Sequence, residues 1–158
     1  MQVAAILSSI AGSTTAVPLR CLGAAQGHVA AKPAFEQLLG QARAQLHPMH
    51  VAAIDCLMPL VNCSRAVGDQ AQAIRHLQQL LSALEAVYGC HTVEIGNLYG
   101  LLGRLYLDRA SSLSGAFQAR YKKQAKEAFS SAFAAYETCL GESQEQCKEL
   151  QGRMGTLP

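Results

Sequence analysis

The chain has no tryptophan, no C-x-x-C pair and no acidic residue before Glu36. It also has no apolar run approaching the about 20 residues that cross a bilayer. Each absence removes a class of protein. Without C-x-x-C, a zinc ribbon or a thioredoxin-like redox site has no support. Without a long apolar run, no membrane span is expected. Charged residues make up only 15% of the chain and the formal net charge is +2, so net charge argues neither for nor against nucleic acid or a membrane surface. What is present is apolar: half of 158 residues, enough for one domain with a sizeable core.

The stretch Asp69 to Gly89, DQAQAIRHLQQLLSALEAVYG, sets the pattern. Ala73, Leu77, Leu80, Leu81, Leu84 and Tyr88 recur at helical steps and fall on one face. Asp69 is placed to cap the first turn, and Gly89 to end the helix in a left-handed conformation. About 42 residues upstream, Ala31, Phe35, Leu38, Leu39 and Leu46 repeat the stripe, and about 52 downstream Ala125, Phe129, Ala132, Phe133, Tyr136 and Leu140 do so again.

The preceding helices echo one another as well. Leu57, Leu60, Val61 and Ser64 correspond to Tyr99, Leu102, Gly103 and Tyr106. Val51 and Ile54 continue the first of these faces, and Ile95, Leu98 and Leu105 the second. Pro59 stands mid-helix, where it costs up to about 3 kcal/mol unless packing compensates. The change of spacing puts about ten extra residues in Ala110 to Lys123, as a long loop or as extensions of both flanking helices. Ser143 and Gln146 have capping-box spacing ahead of the stripe Cys147, Leu150, Met154. The expected helices span about 33–46, 50–67, 69–88, 93–109, 120–140 and 143–154 in a domain of residues 31–155. Pro33 is expected in the first turn of the first one.

Residues 1–30 are poorly legible. They read as a poorly ordered flank, ahead of a weakly formed helix or an organelle transit segment; Arg20 is their only arginine. Cys21, Cys56, Cys63, Cys90, Cys139 and Cys147 are expected as structural, reduced thiols, which favours an intracellular, cytoplasmic setting.

A repeat of paired helices with a period in the low forties is the mark of an α-solenoid. Gly68-Asp69 with Ala73, Leu77 and Leu80, then Leu102-Gly103-x-x-Tyr106, then Ala125-x-x-x-Phe129-x-x-Ala132, resemble the tetratricopeptide repeat signature. The longer unit is similar to the repeats of kinesin light chains. The phrase ALEAVYGCHTVEIGNLYGLLGRLY is similar to the helical C-terminal region of SET and MYND domain lysine methyltransferases. The resemblance implies an all-α, right-handed α-solenoid of about two and a half antiparallel hairpins. It departs from the signature at Leu57 and Tyr99, where many repeats carry tryptophan.

The resemblance also implies a function. First helices of such hairpins line a concave groove that binds a peptide or a partner helix, which makes the chain a protein-interaction scaffold. The outward residues in register are Asp55, Met58, Asn62, Arg65 and Ala66 on one helix, then Asn97, Gly100, Arg104, Leu107 and Asp108 on the next. Asn62 and Arg104 fall in equivalent slots, suited to a peptide backbone and a carboxylate. Met58 stands where the chaperone-tail clamp of the family carries lysine, so that partner is not implied. The alternative is the helical part of a SET/MYND-type methyltransferase without its catalytic core. A third reading is self-association through exposed terminal repeat faces, since solenoids need about three units.

No catalytic, metal or cofactor constellation is expected. His47-Pro-Met-His50 has no carboxylate or thiol of matching spacing, Cys90-His91 reads as a turn, and Ser111, Ser112 and Ser114 lack the flanks of a nucleophile elbow. Arg104, Arg109, Arg120, Lys122, Lys123 and Lys126 gather positive charge around the inserted segment. That spread favours a solvated face over nucleic acid, with a phosphate or acidic partner as the functional alternative.

Overall fold

A computed structural model of the chain describes residues 24–47, 50–141 and 145–156. Six helices and no strand occur among them: α1 Ala24–Gln45, α2 Val51–Ala66, α3 Gln70–Tyr88, α4 Val93–Ser111, α5 Gly115–Leu140 and α6 Glu145–Gly155. Each packs on its neighbours in the chain, and no backbone approach links helices further apart. The fold is therefore all-α and solenoid-like, with α2–α3 and α4–α5 as complete hairpins.

Local signals place the helix ends. The Asp69 carboxylate accepts from the Gln72 N–H at 3.0 Å and the Thr92 hydroxyl from the Ile95 N–H at 3.2 Å. His50 caps α2, its Nδ1 accepting from the Ala52 N–H at 3.2 Å. Gly89 closes α3 at φ +80°, but its ψ of 174° is extended, so the chain leaves straight toward α4 rather than coiling through a left-handed turn. Only glycine holds that combination without strain.

The repeat is visible in what is buried. Leu57, Leu60, Val61 and Ser64 of α2 are buried, as are Leu102, Gly103 and Tyr106 of α4. Ala73, Leu77 and Leu80 of α3 match Ala125, Phe129 and Ala132 of α5. Cys147 and Leu150 of α6 take the positions of Ile95 and Leu98 in α4.

The extra residues of the second hairpin are all helical. Compared with α2, α4 is longer (19 residues against 16), and α5 exceeds α3 (26 against 19). Both lengthen toward their shared turn, and the long-loop alternative is excluded.

Several positions differ from expectation. Helix α1 begins at Ala24 and runs through Pro33, whose side chain is exposed; it is not a first-turn proline. Val51 and Tyr88 are not inward: they are 66% and 68% exposed, each being the terminal residue of its helix. Ile74 and Ala83 are buried instead, rotating the inward face of α3. Helix α2 continues through Pro59, so the Asp55 carbonyl loses its usual donor four residues on. Residues 1–23 and Ser143 of the expected capping box lie outside the described residues.

Candidate functional site

Packing of each helix on its chain neighbours leaves the first helices side by side with no close backbone approach between them. Helices α2 and α4 stand on either side of α3, and the space between them is a groove of about 440 Å³. Its floor and walls are Leu80 and Leu84 from α3, Ile54 and Met58 from α2, and Leu98 from α4. Leu80 is buried at the bottom, and the other four are half-buried, with one edge toward the core and the other toward solvent. Asp55, Glu94 and Asn97 are exposed and form the polar rim. Neither carboxylate has a hydrogen bond or ion pair with another described residue. No cation lines the groove.

Asn97 is shared with a second, smaller space of about 170 Å³ between α4 and α6. Gly100 and Arg104 line it from α4, Phe129 and Tyr136 from α5, and Gln146, Glu149, Leu150 and Arg153 from α6. Here the polar groups are largely committed. Arg153 donates to Glu149 Oε1 from Nε at 3.1 Å and from Nη2 at 2.8 Å. The Tyr136 hydroxyl donates to Asn97 Oδ1 at 2.7 Å, which orients the amide and leaves its N–H groups for another acceptor. Burial pushes the Tyr136 phenol up, and the Arg104 guanidinium pulls the other way. Above Gly100 there is open space.

Of the residues picked from the sequence, the fold brings Asp55, Met58 and Asn97 to the first groove and Asn97 and Arg104 to the second. Asn62 is half-buried, Arg65 and Asp108 are exposed, and none of the three lines either groove. Glu94 was not legible as a rim residue; its only signal is a first-turn position one helical step before Asn97 and Leu98. Leu80, Leu84, Leu98 and Ile54 read as core, because periodicity separates inside from outside but not a covered edge from an uncovered one.

Polar contacts tie the grooves to the scaffold. The Tyr99 hydroxyl donates to Glu85 Oε1 at 2.6 Å, joining α3 to α4. Burial first, then the bond to Glu85 and its charge, push the Tyr99 phenol up to about 12. The Arg43 Nη2 donates to Gln79 Oε1 at 2.8 Å, joining α1 to α3.

The other sequence motifs have local roles. The Ser111 and Ser112 hydroxyls donate to the carbonyls of Asp108 and Arg109 at the end of α4. The Cys139 thiol donates to the His91 carbonyl, closing α5 onto the α3–α4 turn. Among the described residues no three His, Cys, Asp or Glu side chains converge as metal ligands, and no helix is long and apolar enough to cross a membrane. No protein-family model matches the chain, and no curated protein matches it.

Proposed function

We propose that the chain is a non-enzymatic, tetratricopeptide-like interaction scaffold that holds a partner's peptide segment in the groove between α2 and α4. The segment carries an apolar side chain next to lysine or arginine. One observation supports this most: four half-buried apolar side chains from three helices meet over the buried Leu80, beside two carboxylates that no described residue neutralises. Apolar contact supplies affinity, and the unpaired charges supply choice of partner. Asn97 adds amide donors for a peptide carbonyl, and Arg104 sits one step further along for a ligand carboxylate.

The test is a methyl NMR titration with a twelve-residue peptide of alternating leucine and lysine. Shifts concentrated at Ile54, Met58, Leu84 and Leu98 are expected. Asp55→Lys with Glu94→Lys, both exposed positions, should weaken binding by about tenfold or more while leaving the circular dichroism unchanged. Shifts scattered over other methyl groups, or unchanged affinity in the double variant, would refute the proposal.

A further inference from the structure

The lengthened hairpin builds something the repeat alone does not. On the face formed by second helices, α3 and α5 flank a cleft of about 440 Å³. Ala71, Ile74, Arg75 and Gln78 line it from α3, Tyr106 from α4, and Phe117, Arg120, Tyr121 and Gln124 from α5. Phe117, Arg120 and Tyr121 all belong to the inserted residues. They stand at helical spacing on one face of the new turns of α5.

Those turns do little for the core. Every buried residue of α5 lies at Ala125 or beyond, and Phe117 is 66% exposed at the cleft's lip. The Tyr106 and Tyr121 rings lie 6.0 Å apart at 42°, and Gln78 Nε2 donates to the Tyr106 hydroxyl at 2.9 Å, so this wall is ordered. Arg75 and Arg120 face the cleft from opposite helices, and neither has a hydrogen bond or ion pair with a described residue. No carboxylate lines the space. Glu127, further along α5, acts on Tyr106 from beyond the lining.

We propose that this cleft is a second docking site, which takes an acidic peptide segment of a partner protein with an aromatic or aliphatic anchor. The anchor lies against Phe117, Tyr121 and Ile74. The flanking carboxylates reach Arg75 and Arg120, whose planar forks suit them. Gln78 and Gln124 offer amides to the peptide backbone. Charge complementarity selects the occupant: two unneutralised guanidinium groups beside exposed aromatic surface match an acidic, apolar segment. A nucleic acid would instead need a long basic track, which a chain of net charge +2 with a cleft of two cations does not supply. The preference is opposite in sign to that of the α2–α4 groove, so the two sites can be told apart by ligand charge.

The experiment is fluorescence anisotropy on the full chain with a labelled twelve-residue peptide carrying central Phe-Leu flanked by glutamates. Its glutamine counterpart and a labelled oligothymidine are the comparisons. The acidic peptide should bind at least about tenfold more tightly than the glutamine version, with an affinity that falls as salt rises. Arg75→Glu with Arg120→Glu should abolish that binding, and Phe117→Ser should weaken it. Arg65→Glu, at an exposed site outside the cleft, should leave it unchanged. Unchanged circular dichroism in each variant separates lost contact from lost fold. No binding of the acidic peptide, equal binding of the glutamine peptide, or an intact response in the double arginine variant overturns the proposal. Preference for oligothymidine overturns it in favour of nucleic acid. Binding of the leucine–lysine peptide elsewhere is unaffected by these variants, so failure here and failure of the α2–α4 groove are distinct results.

Discussion

Phe129 packs against the bare backbone of Gly103: a β-carbon placed on that glycine would lie 2.5 Å from the ring's Cε1. The pair sits at the centre of the α4–α5 interface, the most extensive between any two helices here. Phe129 is 1% exposed and cannot swing out to make room. Gly103→Ala should therefore cost about 1–3 kcal/mol by overpacking, against the gain in helix propensity that alanine normally brings. Gly100, three residues earlier, has open space above it, and Gly100→Ala should stabilise by up to about 1 kcal/mol. Urea melts of the two variants check the contrast. Equal effects would mean that the close approach at Gly103 is not what the glycine is for.

Ser64 is fully buried, and its hydroxyl has no hydrogen-bond partner. Its counterpart one repeat later is Tyr106, which does have one. Ser64→Ala removes an unsatisfied polar group at almost no change in volume. It should raise stability by about 1 kcal/mol, seen as a higher denaturation midpoint at unchanged m-value.

Tyr99 carries the largest alkaline liability. Its phenol is pushed up to about 12 in the fold against about 10 for an ordinary tyrosine. The folded state thus holds this proton more tightly than the unfolded chain does. The resulting stability is complete below about pH 10 and is lost as pH rises toward 12. Tyr99→Phe should flatten that part of the profile. Absorbance titration of the phenolates alongside thermal melts follows both quantities.

His76 works at the acid end. Burial first, then Arg75, lower its pKa below the ordinary 6.5; Glu36 opposes them, while Arg43 and Lys32 add to the lowering. Its buried Nδ1 has no partner. The unfolded chain takes up this proton before the folded one, so the contribution is present above about pH 6.5 and is lost as pH falls below it. Melting temperatures between pH 7 and 5 should fall for the native chain and fall less for His76→Gln. A parallel decline in both would assign the acid sensitivity to other groups.

The helices were legible because burial follows spacing. Spacing places Leu77, Leu81, Leu102, Phe129 and Leu150 inward, and all five are buried. Spacing assumes a partner along the whole helix, and it fails at the terminal residues Val51 and Tyr88. The register that put Asp55, Met58, Asn97 and Arg104 outward gave their helix face but not their neighbours. A groove is made by three helices at once. Glu94, and the pairing of Arg75 with Arg120 across the cleft, appear only after residues far apart in the chain are brought together. The inserted segment is ambiguous in sequence: Ala110 to Lys123 reads equally as a long loop or as extensions of both flanking helices, yet only Ser112 to Ser114 leave the helical path.

Backbone packing joins each helix only to its neighbours in the chain, so the tertiary contacts span at most about two helices of sequence. Such a chain closes short loops as it orders, and it folds fast. Among the described residues no contact holds one end to the other. Hydrogen exchange should be slowest in α4 and α5 and quicken toward α1 and α6, with the terminal helices detaching while the central hairpin stays closed. The molecule is then less a single block than a row of coupled segments, and a partner bridging α2 to α4 would act as a clasp on a row that can open from its ends.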